Sequence, residues 1–165
     1  MAEPGDRIEI TPQGTRGART MWGSFLPRLF KPLVDMQISR YRKATEPVAP
    51  KMFDFPLVLL TTVGARTGRE FTHPLGGFEQ EDGTWLVVGS KSGASTHPAW
   101  FINLAKNPDN VWLEVGNRKL KVQPSLLKGK ERAAALARIA AISPRYAEYQ
   151  NKTDREIPIV CLRAT

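Results

Sequence analysis

The 165-residue chain holds one cysteine, Cys161, and two histidines, His73 and His97. A lone thiol forms no internal disulfide, and these few ligands lack the spacing of a zinc site, so neither cross-links nor a metal centre is expected. No apolar run approaches the roughly 20 residues a membrane-spanning helix needs. The amino terminus lacks a charged-then-apolar leader, which together with the single thiol points to the cytoplasm. Acids are outnumbered, with 24 Lys and Arg against 16 Asp and Glu, for a net charge of +8. That balance favours a polyanionic partner: a phosphorylated or polyacidic cofactor, an anionic membrane or nucleic acid. No nucleic-acid motif and no basic stripe interleaved with aromatics accompanies the charge, so nucleic acid is not expected. Hydrophobic residues at 41% exclude wholesale disorder.

The remaining pattern reads as three stretches. Residues 1–19 mix Gly, Pro, Arg and Glu without periodicity and are expected to form a mobile arm. Over residues 20–44, Trp22, Phe25, Leu26, Leu29, Phe30, Leu33, Met36 and Ile38 recur at helical spacing among Arg28, Lys31 and Arg40, giving a basic amphipathic segment. Pro27 and Pro32 are expected to divide it into two short helices, because each removes a backbone donor and clashes with the preceding turn. Such a segment suits the surface of an anionic membrane, or packing over the domain or at a homodimer interface.

Residues 45–165 read as one domain. Thr45 to Pro50 is an extended linker. Strands are expected at 55–63, 71–78, 85–89, 111–115, 119–123 and 157–162, and helices at 98–104, 128–142 and 146–150. Turns at Glu81-Asp82-Gly83 and Gly116-Asn117 make their flanking strands antiparallel neighbours. Six antiparallel strands with interspersed helices indicate an α+β domain built on a small barrel or strongly coiled sheet.

Two basic, glycine-bearing turns sit where strands reach the surface: Gly64-Ala65-Arg66-Thr67-Gly68-Arg69 and Ser90-Lys91-Ser92-Gly93-Ala94. Glycine admits close approach of backbone N–H groups to an anion, and Arg or Lys supplies countercharge. Neither the P-loop nor the dinucleotide-binding spacing is present. His97 suits helix capping or ligand contact better than general-base work. Trp100 fits a core position on its pattern alone. Tyr146 and Tyr149, three apart, share one helical face and can either pack or donate a phenolic proton. Asp154 and Glu156 read as members of an ion-paired loop.

The ordered blocks Leu60-Thr61-Thr62-Val63-Gly64-Ala65-Arg66-Thr67-Gly68-Arg69, Pro74-Leu75, Gly89 to Ala94, His97 to Leu104 and Tyr146 to Gln150 resemble the deazaflavin-dependent nitroreductase family. The resemblance covers about residues 50 to 163. It implies a split β-barrel that binds coenzyme F420, an 8-hydroxy-5-deazaflavin with a phosphodiester and an oligoglutamate tail; flavin mononucleotide is the alternative cofactor on the same barrel. By that pattern Arg66, Thr67, Gly68 and Arg69 meet the tail and phosphate. Ser90, Lys91, Ser92 and Gly93 lie near the ring and linker, and Pro98 and Trp100 form an adjoining wall. Ser90, Tyr146 and Tyr149 face the substrate. The implied reaction is hydride transfer from reduced F420 to a quinone, a nitroaromatic or an activated alkene such as an enone. Ser92 stands where relatives often have glycine, Phe71 where they often have a basic residue, and Ser143 where nitroimidazole-reducing relatives carry a third tyrosine. The last difference points toward quinones, and a peripheral position at the inner face of the membrane through residues 21–43 would suit them.

Overall fold

The structure, a computed structural model, describes residues 8–19, 26–52 and 54–165. In chain order its elements are α1 (Leu26–Tyr41), β1 (Lys51–Met52), β2 (Phe55–Val63), β3 (Glu70–Glu79), β4 (Trp85–Val88), a 3-10 turn (Lys91–Gly93), α2 (Ala99–Lys106), β5 (Val111–Val115), β6 (Arg118–Leu126), α3 (Gly129–Ile142), α4 (Arg145–Lys152) and β7 (Ile159–Ala164). Six strands pair antiparallel in the order β2, β3, β4, β7, β6, β5. A β5–β2 ladder, with Leu60 opposite Leu113, closes the ring, and β1 extends it only as a two-residue edge on β2.

β2 reads as a continuous apolar run because both of its faces are covered. Val58 and Leu60 point into the barrel among Val87, Val111, Leu113, Val122, Val160 and Leu162, while Leu57 and Leu59 point outward beneath Ile38 and Tyr41 of α1. Each such fully buried side chain contributes about 1.5–3 kcal/mol. Trp100, Phe101 and Leu104 of α2 belong to the same interior cluster, so α2 plugs the barrel. Another outer face, formed by Phe55, Phe78, Leu86, Val88 and Ile159, is covered by Ala135 and Ile139 of α3 and Tyr146 of α4.

The two-helix expectation for residues 20–44 is overturned over its described part, since α1 runs unbroken from Leu26 to Tyr41 with Pro32 inside it. Pro27 falls in the first turn, where no intrahelical amide bond is lost. Pro32 forfeits one bond, and the carboxyl-terminal half outweighs that loss by its anchorage. The Tyr41 hydroxyl lies 2.9 Å from the Leu57 carbonyl and 3.1 Å from that of Glu114, and accepts the Gly116 amide at 2.9 Å. Arg42 donates Nη2 and Nε to the Glu114 carboxylate at 2.6 and 2.9 Å. These contacts tie α1 across the β2–β5 seam. Trp22 and Phe25 lie outside the described residues.

Residues 8–19 also depart from expectation: they form an extended strap packed on the domain. Ile8 is buried in the barrel cluster, Gly14 donates to the Ser95 carbonyl and Ala18 to that of Gly93, both at 2.8 Å. A side chain at Gly17 would run into the backbone of Ala94 and Ser95, so the absence of a β-carbon there lets the strap lie flat.

Removing the Tyr41 hydroxyl leaves a buried amide and carbonyls without their partner, each of which costs about 1–3 kcal/mol. Tyr41→Phe is therefore expected to lower unfolding free energy by about that amount in urea titrations, with the β-sheet signal of the native state unchanged; a loss under about 0.5 kcal/mol would contradict the seam assignment.

Candidate functional site

Both basic turns lie at the same end of the barrel. Val63 pairs with Glu70 at the mouth of the β2–β3 turn. β4 runs back toward that turn, leaving the ladder after Val88, with Gly77 opposite Val87. Continued by register, Ser90 falls level with Pro74, four residues of β3 from Glu70 and thus roughly 13 Å from the first turn at strand rise. α2 spans the interval, since eight helical residues cover about 12 Å. It begins just past the second turn, and Asn103 Oδ1 accepts the Ala65 amide at 3.0 Å while Asn107 Nδ2 donates to the Val63 carbonyl at 3.1 Å. One helix thus sets the distance between the two turns.

The first turn is closed by Gly64 donating to Arg69 O at 2.7 Å and Gly68 to Gly64 O at 3.0 Å, with Gly68 in the left-handed region at φ 67°. Arg66, Thr67, Gly68 and Arg69 are all exposed, and among the described residues neither arginine forms an ion pair. Phe71 is 41% exposed beside them.

The second turn is strained. Lys91, Ser92 and Gly93 have φ of 44°, 54° and 80°, and two of these are ordinary L residues in a region that costs them of order 1–3 kcal/mol. Gly93 admits no substitute, because a β-carbon would overlap the Tyr149 carbonyl and Lys152 of α4. Lys91 donates to Thr96 Oγ1 at 2.7 Å and reaches the His97 carbonyl at 3.5 Å. Burial, then the charge of Arg155, lowers its pKa from the usual lysine value. No carboxylate faces it among the ion pairs of the described residues.

Beneath this turn lies Arg155, 1% exposed. Its Nε donates to Ala94 O at 3.0 Å, Nη1 to Gly89 O at 3.1 Å and Nη2 to Ser90 O at 3.0 Å, and Nη1 stands 3.0 Å from His97 Nδ1. His97 Nε2 lies 2.7 Å from the Thr11 carbonyl. The contacts define the tautomer: Nε2 carries the proton and Nδ1 accepts. Burial first, then the neighbouring Arg155 and Lys91, keeps the His97 pKa below the usual imidazole value against the opposing pull of Thr11 O, and burial alone lowers that of Arg155 to about 10. Asp154 belongs to the same junction, accepting from Thr15 Oγ1 at 2.5 Å and the Arg16 amide at 2.8 Å, while Glu156 lies 3.9 Å from Arg132. Of the expected ion-paired loop, Glu156 alone has a charged partner among the described residues.

The tyrosines separate in role. Tyr146 is 7% exposed, ringed edge-on by Phe55, Phe78 and Tyr149, and burial pushes its pKa up to about 12. Its side chain lies inside that aromatic cluster, shielded from solvent. Tyr149 is half-buried beside the second turn, with Lys152 Nζ 5.6 Å from its ring. Trp100 is 4% exposed against Phe101, inside the barrel rather than on a wall; Pro98 is half-buried at the start of α2. Ser90 is half-buried and Ser143 fully buried.

Sequence reasoning missed Arg155, Asn103 and the strap. Arg155 sits between two acids that suggest local pairing, and its real partners lie about 60 residues upstream. A groove of about 960 Å³ opens elsewhere, between the β3–β4 hairpin and α3, floored by Phe78, Leu86 and Ile139 and rimmed by Glu79, Glu81, Asp82 and Glu131. Carboxylates outnumber the cations Lys51 and Arg138 along it, the wrong balance for a polyanion. Among the described residues no cluster suits a metal ion, and no helix is long and apolar enough to cross a membrane.

His73, like His97, is held below the usual imidazole value, by burial. Both are neutral in the folded state while the unfolded chain takes up protons below about pH 6.5, so stability is expected to be full above that pH and to decline as pH falls toward the lowered folded values. His97→Gln should flatten this decline in pH-dependent thermal unfolding; an unchanged slope would contradict the neutral assignment.

Residues 2–164 match the F420H(2)-dependent quinone reductase family. The chain is 34% identical over 112 residues, 65% of its length and 72% of the relative's, to an F420H(2)-dependent quinone reductase of Mycobacterium tuberculosis strain H37Rv. Among solved structures it resembles an F420-H2 dependent reductase, FDR-A, at 36% identity and a TM-score of 0.60 over 69% of this chain and 99% of that one. Another neighbour, titled a domain-swapped dimer, aligns at 35% identity and a TM-score of 0.61 over 80% and 98%.

Proposed function

The chain belongs to the F420H(2)-dependent quinone reductase family, and from that premise we propose that it reduces a quinone, using the two basic turns to hold F420 and Tyr149 with Ser90 to face the acceptor. The observation that carries the site is the uncompensated charge of the turns: Arg66, Arg69 and Lys91 flank a span of about 12 Å without a carboxylate ion-pair partner among the described residues. That donor set fits a coenzyme with a phosphodiester and an acidic tail. α4 packs directly on Gly93, leaving no room for a side chain there, and so backs the turn from the protein side. Family membership favours F420 over flavin mononucleotide.

When bound, reduced F420 supplies a hydride, and a quinone that accepts it also takes up a proton to become a hydroquinone. The chain's part is to bind, orient and protonate. Arg66, Thr67 and Arg69 hold the tail, with Gly68 allowing the turn. Lys91, Ser92 and Gly93 hold the linker, and α2, starting from Pro98, fixes their separation. Burial of Tyr146 and Trp100 makes them supports. Tyr149, half-buried beside the second turn, is the better-placed acid, and Ser90 orients the acceptor.

A quinone dissolved in lipid gives the exposed face of α1 a use. Leu29, Leu33 and Met36 recur at i, i+4 and i+7 and are 75%, 56% and 44% exposed, with Arg40 and Lys43 nearby. Peripheral contact with an anionic membrane, where enzyme and quinone would meet, follows from that stripe. The protein is expected to float with anionic vesicles, and the pair Leu29→Glu and Leu33→Glu to remain at the bottom of the gradient; a parent protein that does not float would reject the membrane position.

Titration of F420 fluorescence should show saturable binding that weakens as salt is raised through the range where charges are screened beyond about 8–10 Å. Lys91→Ala is expected to weaken binding about tenfold, the equivalent of about 1.4 kcal/mol. Tyr149→Phe should leave binding intact while lowering kcat with a menaquinone analogue by about a hundredfold, the lower end for loss of a general acid. Unchanged affinity in Lys91→Ala would contradict the site.

A further inference from the structure

We propose that Arg155 is the positioning residue of the second basic turn: by drawing the carbonyls of Gly89, Ser90 and Ala94 toward its guanidinium, it holds Lys91 and Ser92 in the left-handed conformation that presents them to the coenzyme. The proposal rests on the F420 reading of the same site and concerns a residue in the loop before β7 that does not itself lie on the exposed turn.

Two successive non-glycine residues at φ 44° and 54° persist only where their surroundings over-determine them. Here the bracing comes from both sides of the strained pair: two of the three carbonyls precede Lys91 and the third follows Gly93. Inside the turn, Gly93 donates back to Ser90 O at 2.9 Å and Ala94 to Lys91 O at 3.0 Å. The Ser90 carbonyl therefore receives both the turn's own amide and the guanidinium. Release of that carbonyl would free the segment that carries Lys91.

Only a planar fork reaches all three acceptors. Arginine presents five N–H donors in fixed directions, whereas lysine offers three from one point. The fork is itself aimed from behind. His97 Nδ1 accepts from Nη1, its Nε2 is committed to the strap at Thr11, and the Arg155 amide donates to Thr153 Oγ1 at 3.1 Å. The strap, the α2 approach and the β7 approach thus converge on one guanidinium.

Charge gives the arrangement a direction. Among the described residues no ion pair includes Arg155, and Lys91 lies close enough that, after burial, the charge of Arg155 lowers its affinity for a proton. The protein therefore brings two positive charges together and leaves their neutralisation to an anion arriving at the turn. A purely structural arginine in this setting would be served as well by a carboxylate.

The test titrates oxidised F420 into the parent, Arg155→Lys, Arg155→Met and Leu162→Ala, the last loosening the barrel core away from the turn. Steady-state kinetics and thermal unfolding are measured in parallel. Arg155→Lys is expected to fold and to bind F420 at least tenfold more weakly, with KM for reduced F420 rising more than kcat falls; Arg155→Met should lose more. Leu162→Ala should melt earlier yet bind within twofold of the parent. As a second route should the Arg155 variants fail to fold, His97→Leu removes one brace and is expected to weaken F420 about threefold, with His97→Gln restoring part of the loss. Parent-like affinity in Arg155→Lys or in His97→Leu overturns the positioning role, as does equal weakening in Leu162→Ala. Failure of the parent itself to bind F420 refutes the reading of the site and this proposal with it, whereas parent binding matched by Arg155→Lys refutes the positioning role alone.

Discussion

Arg155 carries a charge into a place where desolvation costs several kcal/mol, and among the described residues no carboxylate pairs with it there. Burial is tolerated because three backbone carbonyls and one imidazole nitrogen accept its N–H groups, and hydrogen bonds to charged groups contribute about 1.5–3 kcal/mol each. The same bonds join parts of the chain that are distant in sequence. The exit from β4, the entry to α2 and the approach to β7 meet at the guanidinium, and the amino-terminal strap joins them one bond further out, at His97 and Thr153. A strained turn remains in one conformation because its carbonyls have nowhere better to go.

The barrel serves this junction by holding its pieces at fixed separations. Closure of β5 on β2 leaves α2 as the plug, and the plug's two asparagines set the first basic turn against the second. α4 then closes over Gly93 from the other side. The positive charge sits on two turns whose backbones are fixed by hydrogen bonds to α2 and to Arg155, the kind of preformed surface that keeps ordering costs on binding low. The acid-rimmed groove by α3 lies on a different part of the molecule, which separates cavity size from chemical suitability.

Much of this was legible in the sequence, for physical reasons specific to each element. β2, β5 and α3 declared themselves because runs such as Leu57 to Leu60 are buried on both faces and Ala-rich stretches favour helix. Both basic turns were readable because each follows an apolar strand, and two such glycine- and cation-bearing turns together suit one anionic ligand. The junction was not. Arg155 looks like a surface ion-pair member beside Asp154 and Glu156, and its acceptors are backbone carbonyls, which carry no residue-type signal. Residues 8–19 lack periodicity because a strap held by its backbone needs none. Pro32 suggested a break, yet Tyr41 and Arg42 anchor α1 strongly enough to keep it whole. Tyr146 and Tyr149 have the same spacing signal and different fates, decided by Phe55 and Phe78 on strands far away in sequence.

A crystal structure of the protein with oxidised F420 tests the central claim most directly. The account predicts the acidic tail along Arg66 and Arg69, the linker at Lys91, Ser92 and Gly93 with their backbone still left-handed over Arg155, and the ring beside Tyr149. Coenzyme seated in the acid-rimmed groove between α3 and the β3–β4 hairpin, or a second turn rebuilt away from the guanidinium, would contradict it.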